Sequence, residues 1–329
     1  QPETGKMMKV KNVVHGLFGS VLALTMTSVV AQPTSYPTKP IRFVVGFSAG
    51  SSIDLVARVI ADKLSTELGE TIIVENKSGA AGNIAAGYVA HAAKDGYTLL
   101  VVANSIAISP AIYKDLDFDP KKDLAAIAYF GIAPVDLKVN KALKIDTLKD
   151  LIAYAKNNPG KLNYSSSGVG GTPHMATVLF EQITGTKLMH IPYKGGGDAL
   201  AALMGGQVNM LINPLLGNAN SDKIKTLAIT GDHRSPLTPD VPTFKELGYP
   251  EYDVGVYYGI VGPSGMPSEV VEKLNRSVNS VLKNPATIEK FTRSGVVPQQ
   301  KTAGEFQSFL QQDMLRWQRV VKEGNVSIN

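Results

Sequence analysis

Two short stretches concentrate the chemistry. Asn163 to His174 reads NYSSSGVGGTPH, with Ser165, Ser166, Ser167 and Thr172 among Gly168, Gly170 and Gly171, and no acidic residue or cysteine. Phe47 to Asp54 has the same character: Phe47, Ser48, Ala49, Gly50, Ser51, Ser52, Ile53, Asp54. Hydroxyls and bare backbone ahead of a helix suit an anion, because helix N-termini carry unpaired N–H groups and partial positive charge. Neither stretch before Asp54 and His174 holds Lys or Arg, which favours a carboxylate over a multiply charged phosphate. A rival chemistry is nucleophilic: a serine of SSSG activated by His174. That reading lacks the G-x-S-x-G elbow and any acid near His174 in sequence. The glycine loops match neither G-x-x-x-x-G-K-[ST] nor G-x-G-x-x-G. His91, His174, His190 and His233 show no metal-ligand spacing, and with no cysteine in the chain there is no thiolate site. No cofactor is expected.

Each candidate also has a plain structural reading. Ser51-x-x-Asp54 has the form of a capping box, and Thr172-Pro173 that of an N-cap followed by proline. His174 fits a packing or hydrogen-bonding role near the helix start. Lys77 and Lys194 open glycine loops and suit solvent or loop support. Asn104 and Asn213 end strands and have fewer structural duties, so they are better placed to meet a ligand.

The elements around these loops alternate. IRFVVGF reads as a buried strand, IDLVARVIADKLSTEL as an amphipathic helix ended by Gly69, TIIVEN as a strand, and YTLLVVAN as another. The order recurs in KLNYSSS, PHMATVLFEQITG, KLMHIPY, DALAALMGG and QVNMLIN. Strand–helix alternation builds parallel sheets with right-handed crossovers. Two such units predict an α/β protein of two similar domains, with ligand at the carboxyl ends of the strands between them.

Ahead of that, Lys9 and Lys11 precede an apolar run through Met26, then Val29 and Ala31. From Met7 or Met8 to Ala31 this has the form of a secretory signal peptide, too short and diluted for a membrane span, and together with the extraneous QPETGK ahead of it accounts for residues 1–31. The remainder exceeds the usual single-core size, again predicting two domains. The net charge of +5 comes without a dense basic–aromatic cluster, so nucleic acid is not an expected partner. With no disulfide available, an exported chain must rely on a large core, which 44% hydrophobic residues can supply.

From Tyr36 to the C-terminus the chain resembles the substrate-binding proteins of tripartite tricarboxylate transporters, the Bug family. YPTKPIRFVVGFSAGSSIDLVARVIADKL, VENKSGAAGNIA, DGYTLL, NPGKLNYSSSG, HIPYKGGGDAL, GGQV, RSPLTPDVPTFKELG and GIVGPSGMP carry the resemblance, with the closing helix around Trp317. It implies a periplasmic-binding-protein fold of type II character, monomeric, whose two parallel-dominated α/β domains close on a small carboxylic acid and present it to a membrane permease. It points to Phe47–Asp54 and Ser166–His174 as the grip, then to Asn83, Asn104, Lys194, Gly195, Gly196 and Asn213.

Departures from the family pattern shape the expected ligand. Gly46 and Ser48 or Ala49 replace prolines, implying a more flexible loop. Ser51-Ser52-Ile53 brings an apolar side chain toward the cleft, and Asn213 stands where an aspartate is common. Tyr257, beside Tyr258, takes the place of a frequent tryptophan. Together these suggest a dicarboxylate with a flat or apolar body, of which terephthalate is an example; simple packing of Ile53 and the tyrosines is the alternative. Domain one is expected over 36–134 and 256–329, and domain two over 135–255. Outside solute capture, two other functions are compatible with the sequence: an exported serine hydrolase, and a ligand-sensing adaptor for a two-component system.

Overall fold

A computed structural model describes residues 36–214 and 221–326; the signal-peptide assignment lies outside them. The first half runs β1 (Ile41–Val45), α1 (Ser52–Leu68), β2 (Ile72–Asn76), α2 (Asn83–Ala90), β3 (Thr98–Val102) and α3 (Ser105–Ile112), into the long β4 (Leu124–Asn140). The second runs α4 (Leu148–Asn157), β5 (Asn163–Ser166), α5 (Thr172–Thr184), β6 (Met189–Pro192), α6 (Gly196–Met204), β7 (Met210–Pro214) and β8 (Ile224–Ile229). The chain then returns through β9 (Gly255–Pro263), α7 (Ser268–Val281), α8 (Pro285–Arg293), β10 (Val297–Pro298) and α9 (Ala303–Glu323).

The strand order is β2-β1-β3-β9-β4-β7-β5-β6, with β8 and β10 also pairing β4. The parallel parts expected from the alternation are β2-β1-β3 and β7-β5-β6. Between them β4 and β9 enter antiparallel. Residues 124–134 of β4 pair β9, and residues 135–140 pair β7 and β8, so one strand serves both halves.

Helix periodicity explains the layers. In α1, Ile53, Val56, Ala57, Ile60, Ala61 and Leu64 recur every three or four residues and are all buried. Burying each Val, Ile or Leu of that face contributes roughly 1.5–3 kcal/mol. The helix stops at Gly69, whose φ of 71° closes the last turn onto Ser65 O. In α9 a capping box between Thr302 and Glu305 starts the helix, and Phe306, Leu310, Met314 and Trp317 face inward. The helix places Phe306 and neighbouring Phe309 against Tyr129 and Tyr257. The C-terminal segment therefore completes the first half's core.

Candidate functional site

Four helices begin at the carboxyl ends of strands around one cavity of about 390 Å³: α1 after β1, α3 after β3, α5 after β5 and α6 after β6. From the first half the lining includes Phe47 to Ile53, Ala103, Ser105, Val256 and Tyr258; from the second, Ser167, Gly171 to Pro173, Lys194 to Asp198, Leu200, Asn213 and Pro214. A larger groove of about 620 Å³ lies beside Lys39, Arg42, Thr98 and Tyr88. Arg42 and Thr98 lie at the opposite ends of β1 and β3, away from these helix N-termini. Its size therefore carries less weight than the convergence of helix starts at the smaller cavity.

The helix starts are unusual in what they leave unused. Ser51 is the N-cap of α1, but its hydroxyl makes no capping bond and is buried without a hydrogen-bond partner among the described residues. The expected capping box does not form. Asp54 instead accepts from Gly50 N at 2.9 Å, Arg58 Nε at 3.0 Å and Asn76 Nδ2 at 2.9 Å. Burial would raise its pKa, but these donors win and hold the carboxylate below its ordinary value. Asp54 thus braces the loop and does not line the cavity. The second helix also departs from expectation. Gly171, not Thr172, is the N-cap of α5; Thr172 is its first residue and no side chain caps the helix. A free serine hydroxyl, an uncapped threonine and two sets of unpaired N–H groups then face one space.

The crossing strand supplies the floor. Val256 and Tyr258 face the cavity, whereas Tyr257, one residue out of phase, packs against Tyr129, Phe306 and Phe309. The expectation that Tyr257 forms part of a flat cleft wall is corrected by this alternation. Tyr258 is fully buried and its hydroxyl has no hydrogen-bond partner among the described residues. Burial pushes its pKa up to about 12, with the neighbouring Ser52 opposing the shift without reaching hydrogen-bond geometry. At neutral pH it is a protonated donor.

Other expected contacts sit behind the cavity. Asn104 donates to Gly255 O at 2.9 Å and accepts from Tyr257 N at 3.2 Å, so its amide ties α3 to the crossing strand. Ser166 is fully buried; its hydroxyl lies 2.6 Å from His190 Nε2 and accepts from Gly168 N at 3.1 Å. His174 accepts from Gly170 N at 3.1 Å through Nδ1 and stacks on His190 at 4.0 Å. Burial, and for His174 also its histidine neighbour, lowers these pKa values to about 3 and about 4. The pairing of an SSSG serine with His174 is therefore corrected: the serine partner is His190. Gly168 and Gly170 shape this turn with φ of 114° and 77° but do not line the cavity. Asn83 lies behind Phe47, beside Gly46 and Gly82. Gly46 is better explained by contact than by flexibility, since a Cβ there would sit 2.6 Å from Gly82 Cα.

Ala103, Ser105, Gly197, Asp198, Leu200, Pro214 and Val256 line the cavity without having been singled out in the sequence. Ser105 was concealed because Pro110 interrupts the pattern of a helix it begins. Asp198 was readable as a charge at the start of DALAALM.

Known proteins agree with this architecture. A family model described as the tripartite tricarboxylate transporter family receptor matches residues 56–326. The chain belongs to that receptor family. Protein BugT of Bordetella pertussis is 35% identical to this receptor over 305 residues, covering 90% of this chain and 94% of its own. Rpa4515 of R. palustris, solved with adipate, is 32% identical with a TM-score of 0.82, covering 89% of this chain and all of its own. MatC of Rhodopseudomonas palustris, solved with bound malate, is 32% identical with a TM-score of 0.79, covering 87% of this chain and all of its own. The receptor family thus consists of periplasmic solute-binding proteins with two-domain folds, and two solved neighbours hold dicarboxylates. Among the described residues no helix is long and apolar enough to cross a membrane.

Proposed function

We propose that this receptor acts in the periplasm, capturing a small dicarboxylate between its two domains and delivering it, as a monomer, to the permease of a tripartite tricarboxylate transporter. The observation that carries the reading is the pair of buried hydroxyls, Ser51 Oγ and Tyr258 OH, that have no partner among the described residues and lie beside the uncapped starts of α1 and α5. Buried donors left without partners are costly, and a carboxylate supplies acceptors to both hydroxyls and to the helix N–H groups. Adipate in Rpa4515 and malate in MatC support the ligand class.

The proposed domains are 36–134 with 256–329, and 135–255. The change of β4 partners between Pro134 and Val135 supports that division. A ligand bridging α1 and α5 favours closure because only the closed form makes both sets of contacts. Capture without turnover is part of the proposal. The full burial of Ser166 and its engagement with His190 argue against that serine as a nucleophile. The aromatic-ligand reading loses Tyr257 from its wall and keeps only Ile53 and Tyr258.

The test is a thermal-shift screen of the purified protein against aliphatic and aromatic mono-, di- and tricarboxylates. Ligand that binds only the folded state raises the midpoint with occupancy. Aliphatic dicarboxylates should give the largest shifts. Midpoints unmoved by every acid would overturn the proposal.

A further inference from the structure

Strand β4 holds an ion pair that carboxylate capture leaves unused. Asp136 and Lys138, 0% and 4% exposed, are joined through Asp136 Oδ1 and Lys138 Nζ. The other carboxylate oxygen, Oδ2, is buried with no hydrogen-bond partner among the described residues. Strand alternation fixes the side on which the pair lies. Val135, Leu137 and Val139 face the core shared with Tyr164 and Phe180. Asn140, on the side of Asp136 and Lys138, donates to Leu203 O of α6. Across the β4–β7 ladder, Asp136 stands opposite Asn213 and Lys138 opposite Leu211. Opposed residues of an antiparallel pair share a face, with Cβ atoms about 4.5–5.5 Å apart. Asn213 lines the cavity, and a Cβ on Gly196 would lie 4.0 Å from its Nδ2. Leu211 instead packs with Ala199, Ala202 and Leu203 under α6. The pair therefore lies behind the cleft with its acid toward the ligand and its ammonium away from it.

That orientation is the reverse of what an anion needs. A carboxylate entering the cleft meets a like charge before it meets Lys138, and a nearby like charge favours the protonated form of an acid. Burial already pushes the Asp136 pKa up, with Lys138 opposing the shift. Lys138 is its one ionic partner among the described residues, and its neighbours on β7 and β8, Asn213 and Ile229, are uncharged. Lys194 and Asp198, in α6 and the loop before it, are exposed, so solvent screens them. His174 and His190 stack with Tyr164 on the opposite face of the sheet. Asp136 is thus the group placed to answer the ligand's charge, and Oδ2 is the atom open to a proton.

We propose that Asp136 Oδ2 is a proton-binding site coupled to the cleft, so that capture of an anionic ligand takes up a proton with it. The proton comes from water or buffer and returns there when the ligand leaves; no other bond changes. Once formed, the O–H donates across the ladder to the Asn213 carboxamide, and Lys138 keeps its charge and gains the ligand as a counter-charge. Acidification then strengthens capture and a rise in pH favours release. This assignment rests on the proposed carboxylate capture and concerns the charge that accompanies it.

Isothermal titration of the purified full chain, with the acid that gives the largest thermal shift, counts the protons. In PIPES, MOPS and Tris at matched pH, the observed heat changes with the buffer's ionisation heat in proportion to the protons transferred. Among measurements at about pH 6, 7 and 8, at least one should show uptake of roughly 0.5–1 proton per ligand. Around that pH, Kd should weaken about three- to tenfold for each unit of rise. Asp136→Asn should bring the uptake close to zero and flatten Kd against pH. Because that change leaves Lys138 without its counter-ion, a double variant, Asp136→Asn with Lys138→Met, removes both charges and should give the same result. A merely structural ion pair would move the thermal midpoint and leave the proton count unchanged. Heats independent of buffer at every pH in the unaltered protein would overturn the inference while leaving carboxylate capture intact. So would an uptake that survives in the variants, since the proton would then sit on the ligand or on His174 and His190. If no acid of the panel binds or moves the midpoint, carboxylate capture falls and the inference with it.

Discussion

Ser166 Oγ lies 2.6 Å from His190 Nε2, at the end of β5 and behind the wall of the cleft. The same hydroxyl accepts from Gly168 N and is fully shielded from solvent. A hydroxyl so placed holds the SSSG turn in shape. Ser166→Ala should cost about 1–3 kcal/mol, because it strands buried partners, and should leave ligand affinity within a few-fold. Urea unfolding and calorimetric titration read the two effects separately. A tenfold loss of affinity with unchanged stability would return Ser166 to the cleft.

The stacked rings beside it make stability pH-dependent. His174 and His190 have folded pKa values near 3 and 4, against 6.5 ordinarily. Between about pH 6.5 and 4 the unfolded chain binds more protons at these positions than the folded one, so stability falls as pH drops through that window. The slope is at most about 1.4 kcal/mol per pH unit for each histidine. Asp313, raised to about 6 mainly by burial, acts oppositely: its contribution is lost as pH rises from 3.8 through 6. Midpoints measured from pH 7.5 to 4.5 should therefore fall, less steeply in His190→Gln and more steeply in Asp313→Asn. Equal slopes in all three proteins would contradict this assignment.

Asp54 gives a prediction of another kind. Its two oxygens gather Gly50, Arg58 and Asn76, holding the loop that carries Ser51 and Ser52. Asp54→Ala should lower stability by about 2–4 kcal/mol, since several donors lose a charged acceptor. Affinity should fall as well, because the loop is no longer held. Asp54→Asn should recover part of both losses. A variant of full stability with reduced affinity would place Asp54 in direct contact with ligand.

Much of this was legible in the sequence because the relevant signals are local. The alternation of IRFVV, α1 and TIIVEN, and its recurrence, set the parallel parts of the sheet and the loops at their ends. Resemblance over Tyr36 to the C-terminus supplied the family. The errors lie where the answer depends on distant partners. Ser51-x-x-Asp54 has capping-box spacing, yet Arg58 and Asn76 draw the carboxylate away from Ser51. Asn104 looks idle at a strand end until Gly255 and Tyr257, some 150 positions later, occupy its amide. Tyr257 and Tyr258 are adjacent in sequence and diverge only because β9 is a strand, which sends one toward Phe306 and the other to the cleft. Helix starts such as Gly171 shift by a residue because glycine and threonine both cap acceptably.

Tyr258 and Ser51 offer the sharpest separation of binding from folding. Both hydroxyls are buried without a hydrogen-bond partner among the described residues, so their removal breaks no hydrogen bond within that part of the protein. Tyr258→Phe keeps the ring that fills the floor against Val256, and Ser51→Ala deletes only the unused oxygen. Neither change should lower stability, and either could raise it slightly by removing an unsatisfied buried group. Binding should move the other way. Each hydroxyl that donates to a carboxylate contributes about 1.5–3 kcal/mol, because the acceptor is charged, which is roughly ten- to over a hundredfold in Kd. The measurement is a thermal midpoint without ligand alongside calorimetric titration with the acid that gives the largest shift. Loss of affinity at unchanged or higher midpoint identifies the two hydroxyls as ligand donors. Parallel loss of both quantities would mean that they support the fold, and the grip on the first carboxylate would then have to come from Ser52, Ser167 and Thr172 alone.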